Sequence, residues 1–183
     1  YLACAGKSVL VLERNEWHGG GVVSRELTHP GFRHDQHSMS HIFIQGNPLL
    51  LNDDLGLKSK YGLKYVFPDV PMMSVWEDGT TLPLHRDPAQ SAEAIRHFSE
   101  KDANTLLEMS RQAAQWRPMI QAGLYSPPMP LGAQTAMMDQ SSEGQEIMRT
   151  MGVSTFDLME ELFEHDKVKA HFGRVAGENL VSP

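Results

Sequence analysis

The sequence predicts an α/β protein: part of a doubly wound parallel-sheet domain over residues 1–64, joined to part of an α+β region over residues 65–183. Three observations carry that expectation. Val9-Leu10-Val11-Leu12 is an aliphatic run without alternation that stops at an acid, Glu13, as a strand covered on both faces does. Asp78-Gly79 lies between two stretches rich in β-branched and aromatic residues, which marks a hairpin. Beyond residue 86, helix-capping residues recur ahead of periodic apolar positions.

The elements follow in order. Tyr1 to Ala5 reads as the last turns of a helix closed by Gly6, because glycine accepts the left-handed backbone of a helix C-terminus. The chain therefore begins inside an element and reads as an internal piece of a longer protein. Ser8 to Leu12 is the buried strand. Gly19 to Gly31 is a glycine-rich loop with an extended piece at Val22-Val23, and Asn47-Pro48 opens a short helix towards Leu55-Gly56. Tyr65 to Leu84 is the hairpin and the boundary between the two regions. Asp87-Pro88 caps a helix over residues 88–97, and Ser99 to Asp102 forms a capping box for a longer helix to about Gln121. YSPPMP at residues 125–130 is a loop. A third helix covers Gly144 to Thr150. Ser154 caps a fourth, with Phe156, Met159, Leu162 and Phe163 on one face, that stops at Gly173.

Composition excludes several functions. The net charge is −7 and no stripe of Lys and Arg appears, so nucleic acid is not an expected partner. No apolar run approaches the roughly 20 residues that span a bilayer, and no segment reads as a clear amphipathic anchor. The single cysteine, Cys4, fits a reducing, cytoplasmic setting and reads as a buried inert thiol. Eleven methionines suit either an apolar substrate tunnel or adaptable core packing.

An acid at the end of a second βαβ strand accepts hydrogen bonds from adenosine ribose hydroxyls, and Glu13 stands in that context. The bland reading is a solvated loop carboxylate. Gly19, Gly20 and Gly21 have no helical use, so they mark either a flexible turn or backbone passing close to a ligand. The phosphate-binding G-x-G-x-x-G should lie roughly 20 residues before the acid, and only twelve residues precede Glu13, so that loop is expected upstream of Tyr1.

Together, LVLERNEWHGGGVVSRELTHPGFRHD resembles the second half of the FAD-binding signature of the phytoene desaturase-like and amine-oxidase-like flavoproteins. Asp54-Leu55-Gly56-Leu57, Trp76-Glu77-Asp78-Gly79 and Phe98 to Asp102 continue the likeness, which is best for the desaturase-like branch. The resemblance implies a partial Rossmann-like, glutathione-reductase-type FAD-binding domain and part of an α+β substrate domain. It implies FAD as cofactor, with Glu13 on the adenosine ribose, Arg14 beside the cofactor, and Gly19 and Gly20 along the pyrophosphate path. Gly21 stands where the family takes Arg or a small residue, which removes an arginine contact of the amine-oxidase branch. The implied activity is removal of a hydride equivalent from a small, apolar organic substrate, in an enzyme of which this stretch alone is expected to be inactive. Peripheral membrane contact is compatible with such relatives, and neither oligomeric state nor catalytic acid or base is readable.

Of His34, Asp35, His37 and Ser38, in HDQHSMSH, the imidazoles and the carboxylate invite a metal reading by their residue types. Their spacing is not that of a helical two-histidine site, and no metal is expected. The resemblance instead places them against the flavin ring or its ribityl chain, although the family often has glycine at the position of His37. His41 reads as a surface histidine. Two other functions stay open: a nicotinamide-dependent Rossmann dehydrogenase, for which Glu13 would favour the unphosphorylated ribose, and a non-catalytic binding module without a phosphate loop.

Overall fold

A computed structural model describes residues 1–178. The chain divides into two compact units, Tyr1–Tyr65 and Val66–Pro183. Among the described residues the architecture is mixed α/β, with seven α-helices and two two-stranded antiparallel sheets.

The first unit is built mainly of turns. Its opening residues close as a helix end should: Lys7 N–H donates to Leu2 O at 3.0 Å, Gly6 N–H donates to Ala3 O at 3.0 Å, and Gly6 has φ +72°. That is the paired bonding that satisfies the last carbonyls of a helix around a left-handed residue. The expected strand at Ser8–Leu12 does not form. Leu10, Val11 and Leu12 are 82, 82 and 85 % exposed and join no ladder among the described residues. A strand apolar on both faces is stable only between neighbours that bond its edges and cover its faces, and the first unit supplies none. Cys4 is exposed rather than buried.

The first sheet pairs β1 (Ser24–Glu26) with β2 (Arg33–Asp35) in the register Ser24↔Asp35. A 3-10 turn at Phe43–Gly46 precedes α1 (Pro48–Leu51), where Asn47 accepts from Leu49 N–H and Pro48 occupies the first turn. The helix ends well before Gly56, because Asp53 adopts φ +56° and its carboxylate turns back onto the amides of Lys58 and Ser59, both at 2.9 Å.

The second unit holds the main core. β3 (Met72–Val75) and β4 (Thr81–Leu84) form the expected hairpin, its turn closed by Trp76 N–H donating to Thr80 O at 3.0 Å and by Gly79 at φ +82°. α2 (Pro88–Arg96) is capped by Asp87, and α3 (Glu100–Leu124) by Ser99. α3 runs three residues past the expected end and contains Pro118. α4 (Leu131–Met138) carries no capping signal in the sequence, because Pro130 opens it without a side-chain hydrogen bond. α5 (Ser142–Gly152) follows. Its Gly144 lies so close to α4 that a Cβ there would meet Met138 O at 2.0 Å.

The single helix expected after Ser154 is two: α6 (Thr155–Leu162) and α7 (Asp166–Glu178). Asp102 makes the break. This carboxylate, wholly buried at the start of α3, accepts from Glu164 N–H at 2.9 Å and His165 N–H at 3.0 Å, amides that a continuous helix would have used internally. Leu82, Ala92, Ile95, Ala103, Leu106, Met159, Phe163 and Val168 form the core, and Phe163 stacks on Phe172 with centroids 5.0 Å apart. Phe156, assigned to the buried face by its spacing, is exposed. The methionines are mostly surface residues, with Met159 the one fully in the core.

Candidate functional site

The residues singled out by sequence all lie in the first unit, in two groups. The first follows the exposed aliphatic run. Glu13 Oε1 accepts from both the backbone N–H and the Nδ2 of Asn15, each at 2.9 Å, so the side chain is folded into its own turn and Oε2 is left open. Arg14 beside it is exposed. The glycines divide by what a side chain would meet. Gly19 has φ +106° and a Cβ there would lie 2.4 Å from Val22 O, in the turn that Val22 N–H closes onto Gly19 O at 2.9 Å. Only glycine fits that position. Gly20 (φ +58°) and Gly21 face open space, with nothing within 4 Å of an added Cβ.

The second group stands on the first hairpin and the loop behind it. Ser24 Oγ donates to Asp35 Oδ1 across the register pair, Thr28 Oγ1 and His34 Nε2 are 3.0 Å apart, and Arg33 Nη2 donates to Ser24 O at 3.0 Å. Arg25 covers the Trp17 ring at 4.0 Å, tying the turn after Glu13 to β1. Ser38 adopts φ +59°, and its Oγ lies 2.9 Å from His41 Nε2, whose Nδ1 lies 3.1 Å from Tyr65 OH. His37 is exposed. His41 therefore does more than a surface histidine: it ties Ser38 to the end of the unit. Nothing local signals this, since Tyr65 is 24 residues away.

The hydrogen bonds of Glu13 stay within its own turn, and those of His34, Asp35 and Ser38 stay within the hairpin and its loop. For FAD, the chemistry of the first group fits: an exposed carboxylate with one oxygen open as a ribose acceptor, then bare backbone at Gly20 and Gly21 over which a pyrophosphate can pass. Among the described residues no group of three or more His, Cys, Asp or Glu side chains is placed to hold a metal ion.

The second unit contains polar groups that no motif announced. His171 on α7 is 1 % exposed, with Nδ1 2.7 Å from Ser74 Oγ on β3 and Nε2 unpartnered. Burial, with Arg174 adding to it, pushes the His171 imidazolium below the ordinary histidine range. On the hairpin turn, Asp78 is bonded by Lys167 Nζ and by Thr80, and those bonds hold its carboxyl well below the usual carboxylate range. Lys167 also lies 5.3 Å from the Trp76 ring centroid. These contacts fasten α7 to the hairpin and present no convergent acid–base pair.

The class of protein to which the chain is similar is a dehydrogenase, an oxidoreductase-type enzyme. The relative is a limonene dehydrogenase subunit from Castellaniella defragrans, 38 % identical over 109 residues that make up 60 % of this chain and 19 % of that protein. The match thus spans about a fifth of the relative's length. No family model matches the chain, and no solved structure does. No helix among the described residues is long and apolar enough to cross a membrane.

Proposed function

We propose that the chain is part of an FAD-dependent oxidoreductase of the dehydrogenase or desaturase type, acting on an apolar organic substrate. The likeness to a dehydrogenase component supports the reaction class, and limonene, the compound in that relative's name, is a hydrocarbon. The stretch from Glu13 to Gly21 supports the cofactor. Residues 1–64 would then be part of a doubly wound FAD-binding domain, and residues 65–183 part of the substrate domain.

Bound FAD would supply the redox chemistry by accepting a hydride equivalent from a substrate C–H bond. The chain's own residues bind and orient. Glu13 Oε2 would accept a ribose hydroxyl while Asn15 holds Oε1 and fixes the carboxylate plane. Gly19 sets the turn, and Gly20 and Gly21 keep side chains off the pyrophosphate path. Arg14 would lie beside the cofactor. His34, Asp35, His37 and Ser38 would border the flavin or its ribityl chain, with Asp35 oriented by Ser24 and His34 by Thr28.

The test is flavin content. The native protein that carries this chain should show the visible absorbance bands of a bound oxidised flavin. Glu13→Ala should weaken FAD retention by roughly 1.5–3 kcal/mol, the value of a hydrogen bond to a charged acceptor. An unchanged FAD affinity in Glu13→Ala would remove that residue from the site. A protein that retains a nicotinamide dinucleotide in place of flavin, or that binds neither, would overturn the cofactor reading.

A further inference from the structure

α7 meets the hairpin along one stripe of basic and titratable side chains. Lys167, His171 and Arg174 follow one another at the spacing that places residues on the same helix face. Lys167 Nζ bonds Asp78 and Thr80 at the hairpin turn, and His171 Nδ1 lies 2.7 Å from Ser74 Oγ on β3. Arg174 lines the groove beside them, together with Ala170 and the strand residues up to Trp76. Ser74 stands opposite the wholly buried Leu82 in the hairpin register, so the two side chains share the core face of the sheet.

His171 is the member of this stripe that water does not reach. Its ring meets Phe172 edge-on with centroids 5.0 Å apart, and its Nε2 is buried without a hydrogen-bond partner. Buried polar atoms are nearly always paired, so an orphan one calls for a reason. Neutral histidine can place its one ring hydrogen on Nδ1, towards Ser74 Oγ, and leave Nε2 a bare lone pair. The imidazolium carries a hydrogen on both nitrogens. Protonation therefore buries a charge and adds a donor that has no acceptor.

Among the described residues, the titratable groups on the elements against α7 are engaged elsewhere. Asp78 of the hairpin is bonded by Lys167 and Thr80, and Asp102 at the start of α3 accepts from the amides of Glu164 and His165. Glu160 of α6 accepts from Lys169 Nζ at 2.6 Å, and Glu164 accepts from Ser99 Oγ at 2.6 Å. His165 lies edge-on to Phe98, centroids 5.1 Å apart. Along its own stripe His171 has only cations for charged neighbours, Lys167 a turn before it and Arg174 a turn after, and like charges at that spacing repel. Burial first, and Arg174 second, thus disfavour the imidazolium.

We propose that His171 is a proton-operated latch: neutral, it closes α7 onto β3 through Ser74, and on acidification it releases that seam and opens the groove beside Trp76. The sign follows from burial. An opened His171 takes its proton near the ordinary value of about 6.5, and the closed one takes it only at lower pH. The latch is therefore at full strength above about pH 6.5 and weakens as pH falls below it. Asp78 stays ionised through that window, so the Lys167 tie at the turn holds while the strand contact lets go. The latch lies within the second unit and shares no residue with the cofactor stretch, so its success or failure is independent of flavin binding.

The experiment is amide hydrogen exchange of the native protein from about pH 8 to about pH 5.5, which spans histidine titration and leaves carboxylates ionised. Rates are corrected for the intrinsic pH dependence of exchange. The expected result is that the amides of β3 and α7 open more often as pH falls, by roughly tenfold for each unit separating the closed and opened histidine, while those of α2 hold. His171→Gln keeps a polar group against Ser74 that does not titrate, and should show no such acceleration. Exchange at the imidazole C2 hydrogen of the wild type reads the same proton without a substitution, and its midpoint for His171 should fall below the ordinary histidine value. A midpoint at or above that value would overturn the proposal. So would a pH dependence that persists in His171→Gln, or an acceleration spread equally over α2 and α3, which would be general acid unfolding rather than a latch.

Discussion

Asp102→Ala tests the tertiary contact that divides the last helices. The wild-type carboxylate is wholly buried and accepts two backbone amides, Glu164 N–H at 2.9 Å and His165 N–H at 3.0 Å. Hydrogen bonds to a charged acceptor contribute about 1.5–3 kcal/mol each. Removing the acceptor also leaves both amides without their partner, so the loss should not fall below about 3 kcal/mol for the pair. For a unit of this size, that corresponds to a drop in Tm on the order of 10 °C.

Asp102→Asn should fall between the alanine variant and the wild type. One amide oxygen can still accept, but the NH₂ group then faces a second donor. Thermal and urea unfolding followed by circular dichroism give the energies, and hydrogen exchange at residues 164 and 165 gives the location. A Tm shift in Asp102→Ala below about 2 °C, less than even 1 kcal/mol should produce, with both amides still protected, would refute the reasoning. It would show that α6 and α7 separate for another cause.

Other outcomes follow from the same structure. Gly19→Ala should break the turn after Glu13, because its Cβ would meet Val22 O at 2.4 Å and its φ is +106°, whereas Gly21→Ala meets nothing within 4 Å. Limited proteolysis should show new cleavage between Trp17 and Ser24 in the first variant alone, and equal cleavage in both would sink the distinction. Lowering the pH should loosen α7 from the hairpin. The folded pKa of Asp78 is depressed by Lys167 and Thr80, so its contribution is full above the unfolded carboxylate value of about 3.9 and is lost as pH falls below it. The Tm difference between wild type and Asp78→Asn should therefore be present at neutral pH and shrink towards acid, and a gap that widens in acid would contradict the sign.

Local chemistry was readable without the fold. Gly6 as the left-handed residue that closes a turn, Asp78-Gly79 in a hairpin turn, and Asp87, Ser99 and Ser154 as caps stand where the sequence placed them, although no helix precedes Gly6. Each is decided by bonds within a few residues, and residue type alone biases those. The candidate ligand residues were legible as types in an order, and the structure adds their partners: Asn15 for Glu13, Ser24 for Asp35, Thr28 for His34, His41 for Ser38.

What the tertiary structure decided depends on groups distant in sequence. The break between α6 and α7 comes from Asp102, more than sixty residues before it, so helical periodicity running through Phe163 could not show it. His171 is buried, and its hydrogen-bond partner, Ser74, lies 97 residues away. The Val9–Leu12 run is the converse case. Its composition specifies burial on two faces, and burial is a property of neighbours, so the sequence determined what the run needs while only the assembled fold can provide it.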